Sequence, residues 1–145
     1  MTQKKLERVN YIVVHCSATP PTMDIGVKEI DRWHRERGWF KIGYHAVIRR
    51  DGRIEYGRYT DEIGAHAKGF NNQSLSICLV GGVDENNNPD NNFEDIQLQT
   101  LKAAIVYYKY YFPDAAVVGH KDLKGVTKAC PSFDVMDWWK NHATN

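Results

Sequence analysis

The sequence predicts an α/β fold, a single domain with a central mixed β-sheet flanked by helices. Short β-rich apolar runs alternate along the chain with stretches of helical periodicity, and an Asp-Gly turn joins two strand-like runs near its middle. The length of 145 residues suffices for one hydrophobic core and leaves little room for a second. No repeat or linker interrupts it, so residues 1–145 read as one domain, with residues 1–8 as a polar N-terminal arm.

The elements follow in order. Residues 8–16, rich in Val, Ile and Tyr, read as a buried strand, and Pro20-Pro21 then breaks the chain. Val27, Ile30, Trp33 or His34, and Arg37 keep helical spacing, with Gly38 as terminator, which predicts a helix over 27–37. Residues 42–49 and 53–56 form two strands joined by Arg50-Asp51-Gly52, a hairpin signal. Residues 74–80 alternate Leu75, Ile77 and Leu79 with small residues, and Gly81-Gly82 closes that strand. An Asn-rich stretch over 84–92 reads as a surface loop. Leu98, Leu101, Ile105, Tyr108 and Phe112 then mark one apolar face of a helix over 94–111, stopped by Pro113. Residues 115–119 form a short strand that delivers His120. Ser132 is placed to cap a last helix, with Asp134 and Asp137 in its first turns and Trp138-Trp139 packing it down.

Composition excludes several classes of function. Apolar residues make up 42% and charged residues 26%, ordinary values for a soluble domain. Nineteen Lys and Arg against eighteen Asp and Glu leave a net charge of +1, which gives nucleic acid no electrostatic footprint. Residues 1–8 are polar and the first apolar run is too short to span a bilayer, so neither a signal peptide nor membrane insertion is expected. The chain is expected in the cytoplasm that makes it, as a monomer. Its three cysteines show no CxxC spacing and no disulfide framework. Cys16 and Cys78 sit in strand-like runs and read as buried thiols. Cys130 lies in a loop, two residues from Lys128, a neighbour that favours a thiolate.

His15, His120 and Cys130 each stand at the mouth of a strand or loop. Two imidazoles and a thiolate suit zinc, and three protein ligands leave a fourth position open for water. Taken singly, His15 is more often a structural histidine; the three together favour the metal. Side chains alternate along a strand, so His15 and Cys16 point to opposite faces. Attack of a zinc-activated water on an amide builds an oxyanion that needs a donor or cation beside it. Lys128 is a candidate, and equally a solvated lysine. Tyr44 is another, although residue type alone favours a packed tyrosine. His45 faces away from Tyr44 and reads as a buried, hydrogen-bonded histidine, and His34 as half-exposed beside Trp33. His66, in Gly64-Ala65-His66-Ala67-Lys68-Gly69, sits where small residues allow a ligand to approach, and is a candidate for substrate binding as much as a plain loop histidine. His142 favours the dipole of the last helix.

Taken in order, His15-Cys16-Ser17-Ala18-Thr19, Gly43-Tyr44-His45, Arg50-Asp51-Gly52, the loop around His66, Cys78-Leu79-Val80-Gly81-Gly82 and Lys128-Ala129-Cys130-Pro131-Ser132-Phe133-Asp134 resemble the zinc-dependent N-acetylmuramoyl-L-alanine amidases. Within them the chain is most similar to the short phage endolysins called lysozymes. Peptidoglycan recognition proteins share the fold. The resemblance spans residues 9–139, and it is the ordered set of six motifs that makes it specific.

The resemblance implies hydrolysis of the amide between the lactyl group of N-acetylmuramic acid and L-alanine in bacterial peptidoglycan. It implies one zinc ion held by His15, His120 and Cys130, with Tyr44 and Lys128 as catalytic helpers. Some relatives carry an acidic third ligand or a glutamate base; here those positions hold Cys130 and Tyr44. It also implies an endolysin that accumulates in the host bacterial cytoplasm and reaches the wall through holes made by a partner holin. Two other functions compete. One is a non-catalytic peptidoglycan-binding module, which the intact ligand set argues against. The other is binding and restraint of a phage RNA polymerase, for which residues 2–8 are the candidate surface.

Overall fold

The run Tyr-Ile-Val-Val-His-Cys forms β1 (Tyr11–Cys16), buried throughout beyond its first residue. The structure, a computed structural model, describes residues 5–142. After β1 come α1 (Val27–Glu36), β2 (Ala46–Ile48), β3 (Ile54–Tyr56), β4 (Ser74–Leu79), α2 (Asp95–Tyr111), β5 (Ala116–Gly119) and α3 (Val135–His142). The strands make one five-stranded sheet in the order β3-β2-β4-β1-β5. β1 pairs in parallel with both β4 and β5, β2 pairs in parallel with β4, and β3 closes the edge antiparallel to β2. β4 is buried along its whole length, as β1 nearly is, which suits central parallel strands covered on both faces. The mixed sheet with flanking helices is the architecture that the sequence predicts.

The β2–β3 hairpin follows from its turn. The Arg49 N–H donates to the Arg53 carbonyl at 2.8 Å, and Gly52 takes φ +87°, a conformation that glycine adopts without a Cβ penalty. Thr100 of α2 donates its hydroxyl to the Gly52 carbonyl at 2.7 Å and ties the turn to the helix.

Alternation along the strands divides the core. Ile12 and Val14 pack with Leu75, Ile77 and Leu79 against Leu101 and Ile105 of α2 and Val135 of α3. On the opposite face Val47, Cys78 and Val80 meet Ile25 and Ile30 at α1. Val13 and Val118 there meet Ala67 and Leu123 from loops. His15, opposite Cys78 in the ladder and two residues beyond Val13, stands where these two smaller clusters meet. Gln97 of α2, fully buried, donates to the Val80 carbonyl at 3.0 Å and accepts from Arg50 at 3.1 Å, locking the helix onto the sheet.

Several boundaries differ from the sequence reading for local reasons. The strand expected over 42–49 is regular only in β2, because the preceding backbone is engaged elsewhere. The Gly43 N–H donates to His34 Nδ1 at 2.9 Å, the Gly43 carbonyl accepts from Ala65 at 3.1 Å, and the Tyr44 carbonyl accepts from Arg58 at 2.9 Å. His34 is therefore buried, with 6% exposure, rather than half-exposed. Ser132 does not cap α3. It takes φ +73° and donates its hydroxyl to the Gly82 carbonyl at 2.8 Å, while Asp134 caps the helix by accepting the Asp137 N–H at 3.0 Å. Of the expected polar arm, residues 1–4 lie outside the described residues. Lys5 pairs with Asp61 at 2.9 Å, and Leu6 packs into the main core while its N–H donates to the Asp61 carbonyl at 2.7 Å.

Leu101 is fully buried between α2 and the sheet. Leu101→Ala is expected to lower unfolding stability by about 2–5 kcal/mol, the range for truncating a core leucine. Urea denaturation measures this, and a loss under about 1 kcal/mol would show that the site collapses around the deletion.

Candidate metal centre

Strand register brings the first two candidate ligands together. Val14 of β1 lies opposite Gly119 of β5, so one step further along both strands sets His15 beside His120. Their ring centroids are 4.4 Å apart. Both stand at the carboxyl ends of parallel strands, where sheets of this class open their crevices.

The third ligand arrives on the loop after His120. The Lys121 N–H donates to the Cys130 carbonyl at 2.8 Å, the Ser132 N–H donates to the Ala129 carbonyl at 2.7 Å, and the Ser132 hydroxyl anchors the loop to Gly82. The Cys130 sulfur accepts the Cys16 N–H at 3.1 Å. Ligand atoms of His15, His120 and Cys130 all lie within 4.8 Å of one another. Cys16 takes no part in that set; its side chain lies against Gly82, where φ is +100° and a Cβ would fall 2.6 Å from the sulfur. Cys16 thus stays outside the set, but its thiol hydrogen-bonds with that of Cys130, so it borders the candidate centre instead of facing away from it.

The electrostatics suit a cation. Burial, then the neighbouring His66 and His120, holds His15 well below the ordinary imidazole range. Burial and then the Lys128 ammonium lower His120. Both rings are therefore neutral and able to ligate. Cys130 is pushed up by its hydrogen bond with Cys16 and by burial, so the thiol keeps its proton here and would give it up only in exchange for a cation held among the three residues. The sequence has Lys128 favouring the Cys130 thiolate; in the structure its charge is felt at His120 instead. Two neutral imidazoles and such a thiol fit zinc in chemistry and in spacing.

Tyr44 and Lys128 flank the cluster. The Tyr44 ring lies 5.0 Å from His15 and 5.4 Å from His34. Burial, then the Cys78, Cys130 and Cys16 thiols, raises its phenol well above the ordinary range, so it remains a hydrogen-bond donor. Lys128 is exposed and lines an open groove of about 400 Å³ with Lys68, His120, Lys124 and Thr127, a positive flank beside the ligands.

Of the other histidines, His45 and His66 face inward. His66 Nδ1 lies 2.9 Å from His15 Nε2, and its Nε2 lies 3.0 Å from the Ser74 hydroxyl. Both ring nitrogens of this substrate-binding candidate are engaged within the protein. His45 is fully buried, donates from Nε2 to the Glu62 carbonyl at 2.8 Å and accepts the Ser76 N–H at Nδ1 at 3.1 Å, the role the sequence assigns it. His142 bonds through Nδ1 to the Trp138 carbonyl at 2.7 Å in the last turn of α3.

Two contributors escape sequence reasoning. Arg58 is buried, donates to the Ile42 carbonyl at 2.8 Å and the Ile63 carbonyl at 2.6 Å, and stacks on Phe40 at 4.5 Å, tying together the segments on either side of Tyr44. Ser74 begins β4 and meets His66. Nothing in residue type or spacing marks either one.

Comparison with known proteins places the chain in a family. Residues 5–133 match the family described as N-acetylmuramoyl-L-alanine amidase. The endolysin of Klebsiella phage KP32 is 47% identical over 138 residues, covering 95% of this chain and 90% of its own. The endolysin of Escherichia phage T7 is 43% identical over 139 residues, covering 96% and 91%. Among solved structures, the endolysin N-acetylmuramoyl-L-alanine amidase LysCS from Clostridium intestinale superposes with a TM-score of 0.81 at 28% identity, over 94% of this chain and 84% of its own.

Buried neutral histidines give stability a pH dependence of known sign. Burial holds both His34 and His45 down at about 4. As pH falls from about 6.5 towards 4 the unfolded chain binds protons that these folded rings do not, so stability drops by about 1.4 kcal/mol per pH unit for each ring. Denaturant midpoints of metal-free protein at pH 7, 5.5 and 4.5 are expected to descend in that order. A flat profile would show that these rings accept protons while folded.

Proposed function

The chain belongs to the N-acetylmuramoyl-L-alanine amidase family, and we propose that it cuts the lactyl–L-alanine amide of bacterial peptidoglycan with one zinc ion held by His15, His120 and Cys130. The convergence of those three ligand atoms within 4.8 Å of one another carries the metal assignment. Zinc bound there supplies a Lewis acid and lowers the pKa of a coordinated water towards neutrality.

The protein's own groups do the rest. Tyr44, kept neutral by burial and with its ring 5.0 Å from that of His15, is the phenol assigned as a hydrogen-bond donor beside the metal. Lys128, whose charge is felt at His120, is the cation assigned to the negative charge that builds on the amide oxygen during attack. The lysines that share its groove give the cleft a positive flank for an anionic wall polymer.

The chain is an amidase of the phage endolysin kind, similar at 47% and 43% identity to two proteins that carry that name. In this reading it acts in host lysis, made in the host cytoplasm and reaching the wall through holes opened by a partner holin. No described helix is long and apolar enough to cross a membrane. The complete ligand set argues against a purely binding module, and no contact among the described residues favours polymerase binding.

Purified protein is expected to hold about one zinc per chain, the stoichiometry of a single open site. Chelation is expected to abolish release of peptides with new N-terminal L-alanine from peptidoglycan. Full activity without metal would sink the zinc mechanism, and release of reducing sugars in place of peptides would refute the amide as the bond cut. Separately, Lys128→Ala is expected to fold and keep its zinc while turnover drops about 100-fold, the scale of one transition-state donor. Turnover near that of the unaltered protein would remove Lys128 from the catalytic set.

A further inference from the structure

A chain of hydrogen bonds runs from the backbone through Ser74 and His66 to His15, and the supply of protons along it allows one arrangement. The Ser74 hydroxyl lies 2.7 Å from the Phe70 carbonyl, which can only accept, so its single proton points there. Towards His66, 3.0 Å away, Ser74 can then only accept, which places a proton on His66 Nε2. A neutral His66 has no proton left for Nδ1, and this bare nitrogen lies 2.9 Å from His15 Nε2. His15 must therefore donate from Nε2, leaving its lone pair on Nδ1.

The surroundings hold this arrangement in place. Asn71 Oδ1 accepts the N–H groups of both His66 and Ala67 at 2.9 Å, fixing the backbone that carries the ring. A Cβ at Gly64 would fall 2.8 Å from His66 Cδ2 and 3.0 Å from His45 Cε1, so the loop closes over the two rings with no space for a side chain. Ser74 itself is fully buried at the start of β4, the strand paired with β1.

We propose that Ser74 and His66 are positioning residues that lock His15 in its Nε2–H tautomer and so present Nδ1 as the ligating atom. The proposal rests on the assignment of His15 as a zinc ligand. A ligating histidine commonly donates its second nitrogen to a carboxylate or carbonyl, which accepts without conditions. Here the acceptor is another imidazole, which can accept only while its own far nitrogen has somewhere to donate. Ser74 meets that condition at second remove from the metal, and its orientation is set in turn by the Phe70 carbonyl.

The test reads the tautomer directly. Two-bond proton–nitrogen correlation spectra of labelled, metal-free protein, recorded at a pH where both rings are neutral, are expected to show His15 and His66 each protonated at Nε2. In Ser74→Ala and His66→Phe the His15 signals are expected to shift towards the mixed pattern of an unlocked ring. Zinc affinity, measured by competition with a chromophoric chelator, is expected to weaken about 10- to 100-fold. His66→Asn, whose side-chain oxygen can accept from His15, is expected to recover most of that affinity. His15 protonated at Nδ1 in the unaltered protein would overturn the proposal, as would an unchanged tautomer and zinc affinity in Ser74→Ala. The unaltered protein's tautomer is read without metal and without any substitution. Failure to bind zinc would therefore refute the ligand assignment while leaving the proton arrangement separately measurable.

Discussion

The parallel pairing of β1 with β5 is the constraint on which the rest of the site depends. Parallel strands end on the same edge of a sheet, and residues opposite each other turn their side chains the same way. With Val14 opposite Gly119, the pair that follows is His15 and His120, and a two-imidazole site results from register alone. Slipping β1 by one residue would turn His15 to the other face and offer Cys16 in its place. The ladder from β1 to β4 fixes the same register from the other side, setting His15 opposite Cys78. Two central strands buried on both faces hold that alignment with the full strength of the core.

Around this pair the protein builds two unlike flanks. On the closed side, His66, His45 and Ser74 are engaged with one another, with His15 or with backbone groups, so buried polar atoms are satisfied. Burial keeps the three buried histidines beside the cluster (His34, His45 and His66) neutral, which spares the interior the cost of uncompensated charge. Arg58 is the exception, a buried cation whose desolvation is offset by the Ile42 and Ile63 carbonyls and the face of Phe40. On the open side, Lys68, Lys124 and Lys128 line a groove that reaches His120. A rigid neutral wall and a solvated positive rim suit an amidase acting on a large anionic polymer. In the proposed reaction the wall would hold the ligands and the rim would meet charge that develops as the amide is attacked.

The groups assigned to catalysis come from different kinds of structure. His15 belongs to a central strand, His120 follows an edge strand, Cys130 and Lys128 share a loop, and Tyr44 lies in irregular backbone held by α1 and by the 57–65 segment. Function here is a property of that convergence and not of the sheet itself. The loop bearing Cys130 is held at both ends by backbone hydrogen bonds, and Ser132 pins it to Gly82. Spending Ser132 on that contact leaves the capping of α3 to Asp134.

Much of this was legible in the residues alone. Apolar runs and helical spacing place most of the strands and helices, because burial selects apolar residues on whatever faces the core. The Asp-Gly turn locates the hairpin, because few residues accept the backbone it needs. His15, His120 and Cys130 can be nominated by ligand chemistry, and the ordered motifs around them point to the amidase family. What a one-dimensional pattern cannot contain is who meets whom. That His34 caps the Gly43 N–H and is buried, that Arg58 turns inward, and that Lys128 acts on His120 and not on Cys130 are outcomes of packing between segments far apart in the chain. The same holds for the protons. The sequence supplies two histidines and a serine at positions 15, 66 and 74, and only their spatial order, ended by a carbonyl that can do nothing but accept, decides which nitrogen of His15 is left bare.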